Sequence, residues 1–215
     1  MFTQSEENYL KAIFHLQQDA DGGVSTSSIS EVLKTKSASV TEMVKKLSEK
    51  KLVDYQKYYG VHLTEVGKTH ALNIVRKHRL WECFLVERLN FNWDEVHDVA
   101  EQLEHIKSAK LVEELDKLLG RPSYDPHGDP IPDANGNLPK TSRKKLCQLN
   151  VGDQGVCKGF KDNSPSFLQF LAKQNISLGT EIDVLDVEPF DESMKIRVDK
   201  KEVTLSKVAT DNIFV

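Results

Sequence analysis

Apolar residues recur at two different spacings along this chain, and the change between them divides it. Tyr9, Leu10, Ile13, Phe14 and Leu16 repeat at helical spacing, with Ser5 as a possible cap and Glu6 and Glu7 in the first turn. Asp21-Gly22-Gly23 ends that helix. A short helix follows, capped by Thr26 or Ser27, with Ile29, Val32 and Leu33 inside. The Lys34-Thr35-Lys36 turn leads to a second helix from Ser37 with Val40, Val44 and Leu47 inside. Leu52 to Leu63 is rich in aromatic and β-branched residues around a turn and predicts a β-hairpin. Thr64 caps a long helix from Glu65 to about Leu89. An acidic helix starts at Trp93 and Asp94 and runs to Leu103–Ser108, and a further helix spans Ala109 to Leu119. Gly120 to Ser142 has no periodicity and holds five of the seven prolines, which predicts a linker or extended arm. Beyond Leu146 the pattern alternates at 155–160, 181–187, 194–198, 202–205 and 212–215. A short helix from Ser166 to Gln174 interrupts these strands. That is a five-stranded barrel of about 70 residues.

Short helix, tight turn, helix with a small polar start, then hairpin: this is the sequence shape of a winged helix-turn-helix. Ser37, Ala38, Ser39, Thr41 and Glu42 would project from the first half of the second helix, small enough to approach base edges. Lys45, Lys46, Lys50, Lys51 and, in the wing, Lys57 suit phosphate contacts. An ordinary helical hairpin with a lysine-rich wet face is the plainer reading, and the wing weighs against it. The later helices carry more apolar surface than a winged domain needs, and burial against a second copy is the simplest outcome. The fold class is mostly α with small β. The expected divisions are 1–72 for the DNA-binding domain, 73–142 for a helical dimerisation domain ending in the Pro-rich linker, and 143–215 for the barrel.

Charge sharpens this division. The net formal charge of −4 is unpromising for a nucleic-acid binder, but residues 34–58 hold seven lysines against three acids, while 94–119 hold eight acids against three lysines. No apolar run of about 18 residues suggests a membrane span, and no secretory signal precedes the first helix. Three cysteines without CxxC spacing fit a reducing cytoplasm.

The acidic helix carries the candidate chemistry. His97, Glu101, Glu104 and His105 fall at i, i+4, i+7 and i+8, within about a third of a helix circumference. A face with two imidazoles, two carboxylates and no lysine or arginine invites a divalent cation. His78 and Glu82, four residues apart on the long helix, add two more donors. His127 reads as a loop histidine. A metallohydrolase would need a catalytic signature such as HExxH, which is absent, and would leave the winged helix unexplained. A metal-independent winged-helix transcriptional regulator is the closer alternative.

The ordered set SEENYLKAIFHL, the winged helix, VRKHRLWE, EVHDVAEQLEHI and PHGDPIP resembles the diphtheria-toxin-repressor family, manganese-transport-regulator branch included, over residues 5 to about 132. The tail resembles that family's SH3-like, FeoA-type domain. The resemblance implies a metal-dependent homodimeric repressor of metal-ion homeostasis that binds a palindromic operator in double-stranded DNA. It implies no membrane and no small organic substrate. By motif, His78, Glu82 and His97 would form one metal site, and Glu101, Glu104 and His105, with Asn8, the other. Glu101 stands where iron-type members carry cysteine, so Mn2+ is favoured and Fe2+ possible, with Zn2+ or other divalent ions able to occupy the sites in vitro. Asn8 and Lys11 depart from the manganese type, which has aspartate and glutamate there. The C-terminal domain of iron-type members also donates ligands, and Asp162 and Asn163 lie near the corresponding place.

Overall fold

The computed structural model describes residues 2–18, 22–56, 59–140 and 142–215. Lys57, expected in the wing, lies outside the described residues, as do Tyr58 and the Asp21 of the first expected turn. The chain forms two compact units. The first holds residues up to His78 with Glu101–Val112 and Pro132–Leu138; the second holds Arg79–Ala100, Glu113–Ile131 and Pro139–Val215.

The first unit is built on α1 (Gln4–Gln18), α2 (Thr26–Val32), α3 (Ser37–Glu49), the hairpin β1 (Val53–Gln56) and β2 (Gly60–Leu63), and the start of α4 (Glu65–Leu89). Leu10, Ile13, Ile29, Val40, Val44, Leu47, Val61 and Ala71 are all fully buried in one cluster. Each such aliphatic side chain contributes on the order of 1.5–3 kcal/mol when removed from water. The cap of α2 is Ser25, one residue earlier than expected, its hydroxyl accepting from Ser28 N at 2.9 Å. The turn to α3 runs through Lys34 at φ +47°, and Ser30 donates to Thr35 O at 2.6 Å across it. Thr64 caps α4 as expected, accepting from Gly67 N at 3.1 Å. The wing pairs Val53 with Leu63 through Gln56 with Gly60, and Val24 adds a bridge to Val61. Gly60 sits at φ +93°, and a Cβ there would meet the Gly23 backbone at 2.6 Å, so the hairpin and the strand before α2 close only over glycine.

The second unit contains the rest of α4, most of α5 (Val96–Leu103), the end of α6 (Ala109–Leu118) and the C-terminal strands. β3 (Gln154–Val156), β5 (Glu181–Val187), β6 (Met194–Val198) and β7 (Lys201–Leu205) form an antiparallel sheet in the order β3-β5-β6-β7, and β4 (Gly159–Phe160) pairs with β8 (Ile213–Phe214). The expected strand 155–160 is thus two strands. At the break Cys157 N donates to Thr180 O and Lys158 N to Phe214 O, both at 2.8 Å, as the chain passes from one sheet to the other. α7 (Pro165–Lys173) buries Leu168 and Leu171 against Phe160, Ile182, Met194 and Ile196. The five-residue α8 (Lys207–Asp211), capped by Ser206, was too short to show periodicity.

The Pro-rich stretch is no loose arm. Tyr124 bridges to Pro130, Ile131 N donates to Ser123 O at 2.9 Å, and Asp125, His127 and Ile131 are buried. Arg79 donates to Pro130 O at 2.5 Å within the second unit, and in the first Arg76 donates to Pro132 O at 2.9 Å. Two buried guanidinium groups thus satisfy carbonyls that proline-broken backbone leaves unpaired.

Glu6 of α1 is fully buried and accepts from Lys50 at 2.6 Å and Lys46 at 3.0 Å, both on or just after α3. Burial raises its pKa, but the hydrogen bonds from Lys50, Thr3 N and Lys46 outweigh this and bring it down from 4.5 to about 2. A depressed carboxylate stabilises the fold above its ordinary pKa and loses that contribution as pH falls toward the folded value. Glu6→Gln is expected to destabilise the protein at pH 7 by roughly 1–2 kcal/mol, after allowing for the half-exposed lysines. In urea titrations at several pH values, the gap between the two proteins should shrink between pH 4.5 and 2.

Candidate metal centres

α5 ends at Leu103, earlier than the 3.6-residue repeat suggests. Glu104 and His105 lie in a turn closed by Ile106 N donating to Leu103 O at 3.1 Å. The four expected residues therefore meet different partners. In the first unit Lys11 Nζ lies 2.5 Å from Glu101 Oε1 and 2.8 Å from Glu104 Oε2, and His78 Nδ1 lies 2.7 Å from the same Glu104 oxygen. His105 Nδ1 lies 2.5 Å from Glu7 Oε2. Glu104 is completely buried.

Two buried acceptors of the first unit, Glu104 Oε1 and Asn8 Oδ1, have no hydrogen-bond partner. Unpaired buried oxygens cost on the order of 1–3 kcal/mol each unless something cationic meets them. His105 supplies the complementary feature. Its Nδ1 donates to the Glu7 carboxylate, which in the neutral ring leaves Nε2 with a lone pair, 3.8 Å from Glu104 Oε1. An imidazole oriented by a carboxylate in this way is the usual posture of a metal ligand. Lys77 is also buried nearby; burial lowers its pKa, and the charges of Glu7 and Glu104 work against that.

In the second unit Glu82, Asp125 and His127 each offer a donor atom, all within 4.8 Å of one another, and all three are buried. His127 Nε2 donates to Trp93 O at 2.7 Å, which leaves Nδ1 buried without a hydrogen-bond partner and 3.8 Å from Glu82 Oε2. Glu82 Oε1 meets His97 Nδ1 at 3.6 Å, and His97 is half exposed. Asp125 Oδ1 accepts from the backbone N of His127 and Asp129, at 2.8 and 2.9 Å, so the loop winds around this carboxylate. Gly128 allows that winding. It sits at φ +84°, and a Cβ would meet Lys158 O at 2.2 Å. Burial, then the charges of Glu82 and Asp129, push the Asp125 pKa up against Arg79 and His127. For His127 burial works downward, but Glu82 and Asp125 hold the imidazolium, so its pKa rises. Such a cluster keeps protons that a divalent cation can replace.

By sequence His127 reads as a loop histidine, and the structure places it in a loop, buried. The available signal was the DPHGDP run, which sets three titratable side chains in a stretch that proline and glycine stiffen. Asp162 caps the backbone of Ser164 at 2.8 Å, and Asn163 donates to Asp129 Oδ2 at 3.3 Å.

On α3, Ser37, Ala38, Ser39, Glu42 and Lys45 are exposed. Thr41 is half-buried, with its hydroxyl donating back to Ser37 O at 3.0 Å. Lys46 is exposed but already paired with Glu6. Of the wing tyrosines, Tyr55 packs on the core, while Tyr59 is exposed.

Three family descriptions match consecutive parts of the chain: the iron dependent repressor N-terminal DNA binding domain at residues 1–61, its metal binding and dimerisation domain at 64–133, and the FeoA domain at 144–215. The HTH-type transcriptional regulator MntR of Oceanobacillus iheyensis is 35% identical over 119 residues, covering 55% of this chain and 80% of the relative. The iron-dependent repressor IdeR of Mycobacterium tuberculosis is 34% identical over 128 residues, 59% of this chain. The chain spans 54% of IdeR's length, and 16% of that of a probable metal transport system membrane protein of Chlamydia trachomatis that it matches at 47% identity over 70 residues. Among solved structures, a manganese-dependent transcriptional repressor in complex with manganese superposes with a TM-score of 0.90 at 38% identity, covering 98% of both chains. ScaR with bound Zn2+ superposes with a TM-score of 0.80 at 31% identity, covering 97% of both. Members of this group are DNA-binding repressors that act as dimers, and the chain belongs to the iron-dependent repressor family of metal-dependent transcriptional regulators.

Proposed function

We propose that this protein is a metal-dependent transcriptional repressor that serves metal-ion homeostasis in the cytoplasm and binds a palindromic operator as a homodimer. It is read as a regulator and not as an enzyme. The observation that carries this reading is a set of donors in the first unit: Glu104 Oε1 and Asn8 Oδ1, buried with no hydrogen-bond partner, and His105, whose ring Glu7 orients. Asn8 stands on the first helix of the DNA-binding head, while Glu104 and His105 stand on the turn after α5. Oxygen and imidazole donors without thiolate suit manganese or ferrous iron. A bound divalent cation supplies there the positive charge that the buried carboxylate lacks.

The chain's own residues do the rest. Glu7 orients His105, and Glu6 ties α1 to the Lys46 and Lys50 end of α3. A change in how firmly α1 is held thus reaches the helix expected to enter the major groove. Ser37, Ala38, Ser39, Thr41 and Glu42 would face base edges, and Lys45 would meet phosphate. Lys46 would contribute less than its exposure suggests, because it shares the Glu6 carboxylate with Lys50.

Glu82, Asp125 and His127 are proposed as a second metal-binding group, with His97 beside them. The resemblance implies His78 as a companion of Glu82 and His97, and that grouping is kept in the proposal; His78 Nδ1 also lies 2.7 Å from Glu104. Leu89, Leu111 and Leu118, all exposed, support burial against a second copy. The three-part division at 1–72, 73–142 and 143–215 is retained as a proposal.

One observation favours the metal-independent alternative. Lys11 and the Glu7–His105 pair already connect α1 to the residues after α5 through direct hydrogen bonds.

Selection from a random duplex library in the presence of manganese should yield a palindrome with half-sites about one helical turn apart. A chelator should then lower affinity for that duplex at least tenfold, about 1.4 kcal/mol. Unchanged affinity would favour the metal-independent regulator. Separately, His127→Ala should reduce the manganese bound per subunit by one ion, counted by elemental analysis of folded protein. An unchanged count would remove the second group.

A further inference from the structure

His78, Glu101 and Glu104 each offer a donor atom, and these lie within 4.8 Å of one another. By composition this is a third metal-ligating group. An ammonium already meets it. Lys11 Nζ lies 2.5 Å from Glu101 Oε1 and 2.8 Å from Glu104 Oε2, and the lysine side chain is 11% exposed. His78 Nδ1 shares that Glu104 oxygen at 2.7 Å. We propose that Lys11 is a built-in cation: its ammonium takes the position of a second divalent ion, so that the cluster around Glu104 binds one metal ion and not a pair. The proposal rests on the reading of Glu104, His105 and Asn8 as metal-binding.

Glu104 divides its work between its two oxygens. Oε2 is engaged by Lys11 and His78, whereas Oε1 is buried with no hydrogen-bond partner, 3.8 Å from His105 Nε2. Only the second side is open to a further cation. The charges agree. Glu101 and Glu104 share the one ammonium of Lys11, which already supplies the positive charge on the Glu101 side. A second divalent ion on the Glu101 side would stand beside a fixed ammonium, and like charges so close in a dry site repel strongly. Displacing the lysine would leave a desolvated ammonium without partners.

The consequence is regulatory. Lys11 belongs to α1, so part of the attachment of α1 to the residues after α5 is permanent. Only the share that depends on Glu104 Oε1, His105 and Asn8 remains for the metal to control.

The test counts and characterises manganese in the full-length protein, wild type and Lys11→Glu, after loading and removal of free ion. Elemental analysis should find one more ion per subunit in Lys11→Glu. Electron paramagnetic resonance should show a spin-coupled manganese pair in that variant and none in the wild type. A coupled pair in the wild type overturns the proposal, as does an unchanged count in a variant shown to be folded by circular dichroism. Should Lys11→Glu fail to fold, the wild-type spectrum decides. Wild-type protein that retains no manganese removes the underlying metal reading instead.

Discussion

A carboxylate fully withdrawn from water must be compensated, and Glu104 is the carboxylate on which the first unit depends. It is completely buried, just after α5, among groups from two other segments, Lys11 of α1 and His78 of α4, and beside the adjacent His105. In a medium of low effective dielectric an unmet charge there would cost several kcal/mol. The fold answers one half of Glu104 with hydrogen bonds and leaves the other half unanswered. In the proposed function, that asymmetry is what would connect the packing of α1 to the presence of a cation. The contacts of Glu104 with Lys11 and His78 hold residues 101–112 in one compact unit with the DNA-binding head despite their distance in sequence.

Glu6 repeats the logic on the opposite side of α1. It too is buried, but Lys46 and Lys50 satisfy it without any ion. α1 therefore has a permanent attachment toward α3, and toward the residues after α5 one that Lys11 and the Glu7–His105 pair hold in part and the proposed cation would complete. A helix with one fixed and one adjustable side can transmit a local change in charge to the recognition helix. The energy available is the difference in cation affinity between the two postures, and a few kcal/mol is enough to shift a population between them.

Much of this was legible in the sequence, and the reasons differ by element. Helical periodicity placed α1, α3 and α4 because each buries a regular apolar stripe, and Thr64 marked the start of α4 through its cap. Ser25 was overlooked because Thr26 and Ser27 are equally good caps by composition. The contacts of Glu104 and His105 did not follow from the repeat, because the helix ends at Leu103 and the next two residues turn inward. The Asp125–His127 group was missed for another reason. No periodicity describes a loop, and its order comes from hydrogen bonds made far away in sequence, such as Arg79 to Pro130 O and Phe160 N to His127 O. Lys11 was visible as a departure from the family pattern, but only coordinates place its ammonium between two carboxylates.

The central claim is that a cation at Glu104, His105 and Asn8 tightens the hold on α1. Amide hydrogen exchange of the full-length protein, with manganese and with chelator, tests it most directly. Slower exchange on metal addition is expected in α1 and in the turn from Leu103 to Ile106. Metal binding that leaves exchange in α1 unchanged would contradict it.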